Sequence, residues 1–525
     1  MTNGTFDTDI SGWSAGTVST ISFENNTMRV ERTNNSFFSP QAGQQITGIS
    51  DGATVIITFE VTNVRNRNPG IGWADGMGAS SGSTLYIRLN NTVGSYTLVS
   101  TFSSAMPWLV FYGGGSADFN IDNVSVRELA GNPATQATTA ARPLTAVHPD
   151  GGVRNLLDHT EEFDNSYWTK GNATITANSA VAPDGTTTAD KLQSNGTVAA
   201  HRVSPAGFSL GVGVQTVTVY AKAAETEVML GFLKPSPTAF ATVGFTLSGD
   251  GAVAWAANSL AGRISAPVAS IENVGDGWYR CSLSINSLDV GGNPIIDLSN
   301  GTTNTFAGTV GDGCLIWGAQ LEVGSTATPY QKRVNFLNVT EAGKRSIRRL
   351  YFNGTSHFMQ TPTITPNTDK VQVFAGVRKL SDAEIGIAVS LDGGTVGQSG
   401  AELFVPRTSA TPDYAFRSRG PTDNADAIAA GFVAPVSSVL SGIGQTTTDT
   451  SILRVNGVQR ASSTFPQGSA NYRSLPMFIG ARGGTTFFFN GFLDQLITRF
   501  GATPDETTIG KVEKYISTKV PEVTL

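Results

Sequence analysis

Over long stretches of this chain apolar and polar residues alternate with a period of two, the spacing that puts every second side chain on one face of a strand. Val55, Ile57, Phe59 and Val61 share a face, as do Tyr96, Leu98 and Phe102. The same alternation runs through Thr216 to Ala221, through Cys281 to Ile285, and through Val371, Val373, Ala375 and Val377. Gly-Asp and Pro-Asp-Gly turn signals punctuate the spacing between these runs. The phase slips once, because Phe119 and Ile121 are followed by Val124 and Val126, and this predicts a bulge at Asp122-Asn123. One stretch reads differently. Ile509, Val512 and Ile516 follow Thr503-Pro504-Asp505-Glu506 at helical spacing. Thr503 is the expected N-cap there, Pro504 the first helical residue, and Glu506 the partner that closes a capping box.

The fold these patterns predict is all-β: three consecutive antiparallel β-sandwich (jelly-roll) domains with one short C-terminal helix. The expected boundaries are 1–130 and 154–333 for the first two sandwiches and 334–525 for the third. Residues 131–153, rich in Ala, Thr, Pro and Gly and without a period, read as an exposed connector. At 525 residues the chain is long enough for several cores. Only 14% of residues are charged, where about 25% is usual, and 59 are glycine. The 35 basic residues nearly balance 41 acidic ones, so no large positive field exists to attract phosphates and nucleic acid is excluded as a partner. The start of the chain lacks a basic segment followed by an apolar run, and nowhere do 18 apolar residues follow one another. A soluble chain without a secretion signal or membrane insertion is expected. Cys281 and Cys314 are the two cysteines. If their strands are neighbours a disulfide is one reading, and free buried thiols, the commoner case, are the other.

Certain motifs resemble known families. Asn155-Leu156-Leu157, Glu162-Phe163, Tyr167-Trp168, Ala182-Pro183-Asp184-Gly185, Ala189-Asp190-Lys191-Leu192, Val219-Tyr220-Ala221-Lys222, Gly277-Trp278-Tyr279-Arg280 and Gly318-Ala319-Gln320-Leu321-Glu322 resemble a carbohydrate-binding-like module of tailed-bacteriophage structural proteins. Residues 1–129, from Asn3-Gly4-Thr5-Phe6-Asp7 and Gly12-Trp13 to Ile121-Asp122-Asn123-Val124, resemble the galactose-binding-like jelly roll of many carbohydrate-binding modules. Residues 350–520, with Phe352-Asn353-Gly354, Arg454-Val455-Asn456-Gly457, Phe478-Ile479-Gly480 and Phe492-Leu493-Asp494, resemble a laminin-G-like or concanavalin-like sandwich. The resemblance implies a non-enzymatic virion protein, a tail fibre or appendage component that presents sugar-binding modules for attachment to a bacterial surface glycan. Its partners would be other virion proteins and that glycan. Assembly in the host cytoplasm would account for the missing signal peptide. A homo-oligomer, with a trimer among the options, is also implied, although no heptad run supplies a trimerisation stem. Tail fibres usually begin with a baseplate-docking segment, whereas Phe6 already belongs to the first sandwich. A capsid or tail decoration protein and a polysaccharide-degrading enzyme accessory are the alternatives.

Candidate chemistry is sparse. There is no Gly-x-Ser-x-Gly elbow, phosphate-binding glycine loop or His-Glu-x-x-His. Glu161 and Glu162, as neighbours on a strand, would point to opposite faces. His148, His159, His201 and His357 have no metal-site spacing and read as surface or turn residues. The galactose-binding-like resemblance implies a structural Ca²⁺ held by Asp7 and Asp122. The plain alternative has Asp7 accepting turn hydrogen bonds and Asp122 holding the bulge. A sugar platform needs flat aromatic faces beside amides and carboxylates. The candidates are Trp108, Tyr112, Trp255 and Tyr414, with Trp73 eligible by type. Trp13, Trp168, Trp278 and Trp317 fall inside strand or family signatures and read as core.

Overall fold

In a computed structural model of the chain, strand accounts for about 57% and helix for about 4% of the residues, which settles the all-β class. The structure describes residues 4–32, 41–49, 51, 53–66, 69–77, 83–88, 93–113, 117–128, 134–136, 138–235, 238–391 and 399–525. Residues 1–3, Gly114, Gly115 and the 129–133 end of the first domain lie outside them. The chain divides into two compact units, Met1–Pro133 and Ala134–Leu525.

The first unit is a sandwich of two five-stranded antiparallel sheets. Its core takes the alternating residues of Thr54–Asn66, with Val55, Ile57, Phe59 and Val61 packed against Leu109, Phe111, Phe119 and Ile121. The expected bulge is present. Where Asp118–Glu128 pairs with Thr54–Asn66, the register shifts between Asp122 and Ser125, and Asn123 takes a φ of 50°, a left-handed conformation that Asn tolerates.

The second unit holds two sandwiches. One has two six-stranded sheets around a core that includes Val217, Val219, Leu230, Phe232, Leu283, Ile316 and Leu321. The other pairs a nine-stranded with a six-stranded sheet. Val371, Val373, Ala375 and Val377 all face its core, as their alternation predicts. The opposite face of Lys370–Lys379 carries Phe374, which joins Val439 and Ile443 beneath Ile509 and Ile516 of the helix Glu506–Ser517 and Val520 just after it. Buried Glu513 fixes that helix, accepting from Arg454 Nε at 2.8 Å and Ser441 Oγ at 2.8 Å. The cap differs from the expectation. Asp505, not Thr503, is the N-cap, and its carboxylate accepts from Thr508 N at 2.8 Å. Asp505 occupies the position where a short side chain reaches back to an unpaired backbone N–H, so the helix begins after Pro504 rather than on it.

A larger correction concerns the connector. Leu144–Pro149 is a strand of the nine-stranded sheet, antiparallel to Ser346–Asn353 and joined in parallel at Val147 to Asn338. The chain therefore enters the last sandwich, builds the whole middle sandwich, and returns through Gln331–Asn335 to the same sheet. The strand escapes detection because its buried side chains are Ala146, His148 and Pro149, which give no apolar period.

Candidate functional site

One sheet of the middle sandwich presents an outer face built in three cross-strand rows. Gly213–Ala223 pairs on one side with Trp278–Ser287 and on the other with Gly313–Val323. Register places Ser284, Thr216 and Glu322 in the first row, Ser282, Thr218 and Gln320 in the second, and Arg280, Tyr220 and Trp317 in the third. A bulge at Gly318, with φ 64°, shifts the register of Gly313–Val323. It lets Ile316, Ala319 and Leu321 face the core while Trp317 and Gln320 face outward. Glycine is required there on a second count. A Cβ would stand 3.1 Å from Tyr220 Cδ2 and 3.4 Å from Tyr330 Cζ.

Residues 324–330 cross this face as a strap. Thr328 N and Oγ1 donate to Glu322 Oε1 and Oε2 at 2.8 and 2.6 Å, and Arg280 Nη2 donates to the Thr328 carbonyl. Thr216 Oγ1 donates to the Gly324 carbonyl at 2.7 Å and Ser284 Oγ to that of Ser325 at 3.1 Å. Just past the strap, Asn155 is wholly buried. Its Nδ2 donates to the Ala319 and Gln331 carbonyls at 3.0 and 2.9 Å, and its Oδ1 accepts from Leu321 N at 3.2 Å. That latch is the physical content of the Asn155-Leu156-Leu157 motif.

The strap leaves a cleft on each side. One, of about 520 Å³, is walled by Tyr220, Trp317 and Tyr330, with Glu161, Asp184 and Lys332 at its margin. The Trp317 and Tyr330 rings are 4.7 Å apart at 58°, and those of Tyr220 and Trp317 5.3 Å at 65°. Tyr330 donates to Glu161 Oε1 at 3.1 Å, and Lys332 Nζ lies 2.6 Å from the other oxygen. Burial pushes both the Tyr330 and Tyr220 phenols above their usual range, so they stay protonated. The other cleft, of about 280 Å³, is lined by hydroxyls of Thr216, Ser270, Ser282 and Ser284, with Arg280 and Glu272 among them. Apolar ring surface beside fixed polar groups is the chemistry that holds a sugar.

The sequence candidates fare unevenly. Tyr414 is wholly buried, stacked on Phe432 at 4.8 Å and bonded to Ser438 Oγ at 3.2 Å. Its alternating run is inward-facing at Tyr414, so it offers no platform. Tyr112 is also buried, in a small cluster with Ala74 and Val110, and Trp108 is half-buried against that cluster. Trp255 is half-buried and lies on Gly244, where a Cβ would meet its Nε1 at 2.1 Å, while the indole N–H donates to Ser299 Oγ at 3.1 Å. Trp13, Trp73 and Trp168 are core. Asp7 and Asp122 approach each other closely enough that Asp7 and Glu60 help burial to raise the Asp122 carboxyl. Thr5 donates to Asp7 at 2.8 Å and Asn123 N to Asp122 at 2.7 Å. Among the described residues no group of three or more metal-ligating side chains converges. Cys281 and Cys314 are free, buried, and driven by burial well above the usual thiol range. Three histidines expected at the surface are buried, His148, His201 and His357, each with a ring nitrogen bonded to a backbone carbonyl. Sequence reasoning does not single out Tyr220, Arg280 and Tyr330 as ligand-binding, and Trp317, which it reads as core, is indeed buried at 4% exposure beside Ala182, Ala189 and Trp278 while also lining the cleft. The phase break at Gly318 was the available signal.

Comparison with known proteins adds little. No family model matches the chain, and no curated protein matches it. Solved structures with likeness include mouse laminin α1 domains LG4-5, at 12% identity, covering 58% of this chain and 88% of that one with a TM-score of 0.24. A second is the CBM22-1-CBM22-2 tandem of Paenibacillus barcinonensis Xyn10C, at 11% identity, 61% and 96% coverage and a TM-score of 0.20. A third is Trypanosoma rangeli sialidase in complex with DANA, at 10% identity, 97% and 94% coverage and a TM-score of 0.25. Likenesses this low carry no argument about activity. No helix among the described residues is long and apolar enough to cross a membrane.

Proposed function

We propose that this chain is a non-enzymatic carbohydrate-binding protein whose ligand lies across the strap of the middle sandwich. The observation that carries the reading is the cleft in which Tyr220, Trp317 and Tyr330 stand beside Glu161 and Lys332. Ring faces cover the apolar side of a pyranose, and the charged margin meets its hydroxyls. The finer reading is a tailed-phage virion component, a tail fibre or appendage piece that attaches to a bacterial surface glycan and assembles with other virion proteins as a homo-oligomer. The motifs between Asn155 and Arg333 support it. A structural Ca²⁺ at Asp7 and Asp122 belongs to the same reading as a stability site, supported by the Asp122 carboxyl, which burial and then the charges of Glu60 and Asp7 raise.

The test is binding of the full chain to a printed panel of bacterial and synthetic oligosaccharides. Tyr220→Ala, at a half-exposed ring, should weaken binding at least about tenfold while the fold persists. A blank panel, with the chain instead occupying a protein-only interface in a particle, would contradict adhesion and leave decoration as the role.

A further inference from the structure

The second cleft holds a cation without a counter-ion. Arg280 stacks its guanidinium over Tyr220 at 5.6 Å to the ring centre and gives Nη2 to the Thr328 carbonyl. Its Nε–H is buried with no acceptor, and among the described residues its one hydrogen-bond partner is a carbonyl rather than a carboxylate. The two nearby anions do not serve it. Glu322 spends its oxygens on Thr328 and on Gln320 Nε2 at 2.8 Å. Glu272, opposite Arg280 in the register, is exposed to solvent. Around the guanidinium stand the hydroxyls of Thr216, Ser282 and Ser284. Arginine is the residue suited to a planar anion, because its donors form a fixed fork.

Resting on the carbohydrate reading above, we propose that the ligand is an acidic saccharide whose carboxylate or sulfate seats at Arg280 in the hydroxyl-lined cleft while a neighbouring ring packs in the aromatic cleft across the strap. The strap then acts as a divider that sets charge recognition on one side and ring recognition on the other. A half-buried guanidinium whose Nε–H is buried and unsatisfied costs the fold stability, and an incoming anion relieves that cost.

The experiment compares neutral, carboxylated and sulfated oligosaccharides on the same panel, using the full chain, Arg280→Met and Glu272→Gln. The expected result is that the strongest binders are acidic, that Arg280→Met weakens acidic binders about tenfold more than neutral ones, and that Glu272→Gln tightens acidic binders. The carboxylated and sulfated arms tell which anion is preferred. Neutral and acidic saccharides bound alike, or an acid preference that survives Arg280→Met, would overturn the proposal while leaving sugar binding intact. A panel blank for every saccharide would sink both. If loss of the Thr328 contact unfolds Arg280→Met, the exposed Glu272→Gln decides alone: tighter acidic binding supports the assignment, and unchanged binding overturns it.

Discussion

Two outer sheet faces in this chain handle their polar groups in opposite ways. On the six-stranded sheet of the last sandwich, Glu402, Arg417 and Asp426 lie in one cross-strand row. Arg482 clasps Glu402 through two bonds of 2.6 Å, Arg417 clasps Asp426 through two of 2.7 Å, and Arg407 adds a third cation, all gathered about Phe404. Every carboxylate there is spoken for. On the strap face of the middle sandwich, Arg280 lacks a counter-ion, Thr218 Oγ1 is buried without a partner, and clefts stay open on both sides. Arginine alone therefore does not mark a binding face. A face whose groups satisfy one another is architecture, and one that leaves them wanting is addressed to a ligand.

The comparison can be broken at the closed face first. Glu402→Gln removes a fully buried carboxylate, strands Arg482 and leaves Arg417 with Asp426 alone. It should cost about 3–5 kcal/mol in denaturant unfolding without altering saccharide affinity. A change in affinity at unchanged stability would reverse the roles assigned to the two faces.

The next effect comes from pH. His148 Nδ1 faces Arg349 Nη1 at 3.1 Å and Nε2 faces the Phe336 carbonyl at 2.8 Å, so the neutral ring accepts from the arginine and donates to the carbonyl. Burial, with Arg349 adding to it, lowers this histidine from 6.5 to about 4. The unfolded chain takes up a proton near pH 6.5 that the folded chain refuses until about pH 4. Stability is therefore full above pH 6.5 and falls as pH drops toward 4, by up to about 3 kcal/mol. Unfolding curves of the native chain should show this slope, and His148→Gln should lack it. Because His148 lies in the self-satisfied sandwich, the slope should leave saccharide binding at the strap untouched between pH 7 and 6.5.

The smallest expected effect sharpens the choice among aromatic surfaces. Gly244→Ala puts a methyl group where the Trp255 indole rests and should cost about 1–3 kcal/mol. Saccharide affinity should not move, since Trp255 lies on the opposite sheet from the strap. A large loss of binding would return Trp255 to the ligand.

How far the sequence foretells all this depends on whether a feature is periodic. Val371, Val373, Ala375 and Val377 are legible because four apolar side chains share one phase, and the slip after Ile121 is legible because phase is counted across it. Leu144–Pro149 was not, since its inward positions are an alanine and a histidine stabilised by hydrogen bonds. Tyr414-Ala415-Phe416-Arg417 alternates truly, but alternation does not say which face is inside, and the tyrosine proved to be core. The strap has no period at all. Its place over the sheet follows from Thr328, Glu322 and Arg280 meeting across strands, and such pairings are set by register rather than by any local spacing.

The most direct test of the central claim is an experimental structure of the chain with its best-binding oligosaccharide. The account predicts a sugar ring packed on Tyr220 in the cleft walled by Trp317 and Tyr330, with the saccharide crossing residues 324–330 toward Arg280. A saccharide seated on Trp255 or on the Arg417 face, or a strap surface that stays bare at saturating ligand, would contradict it.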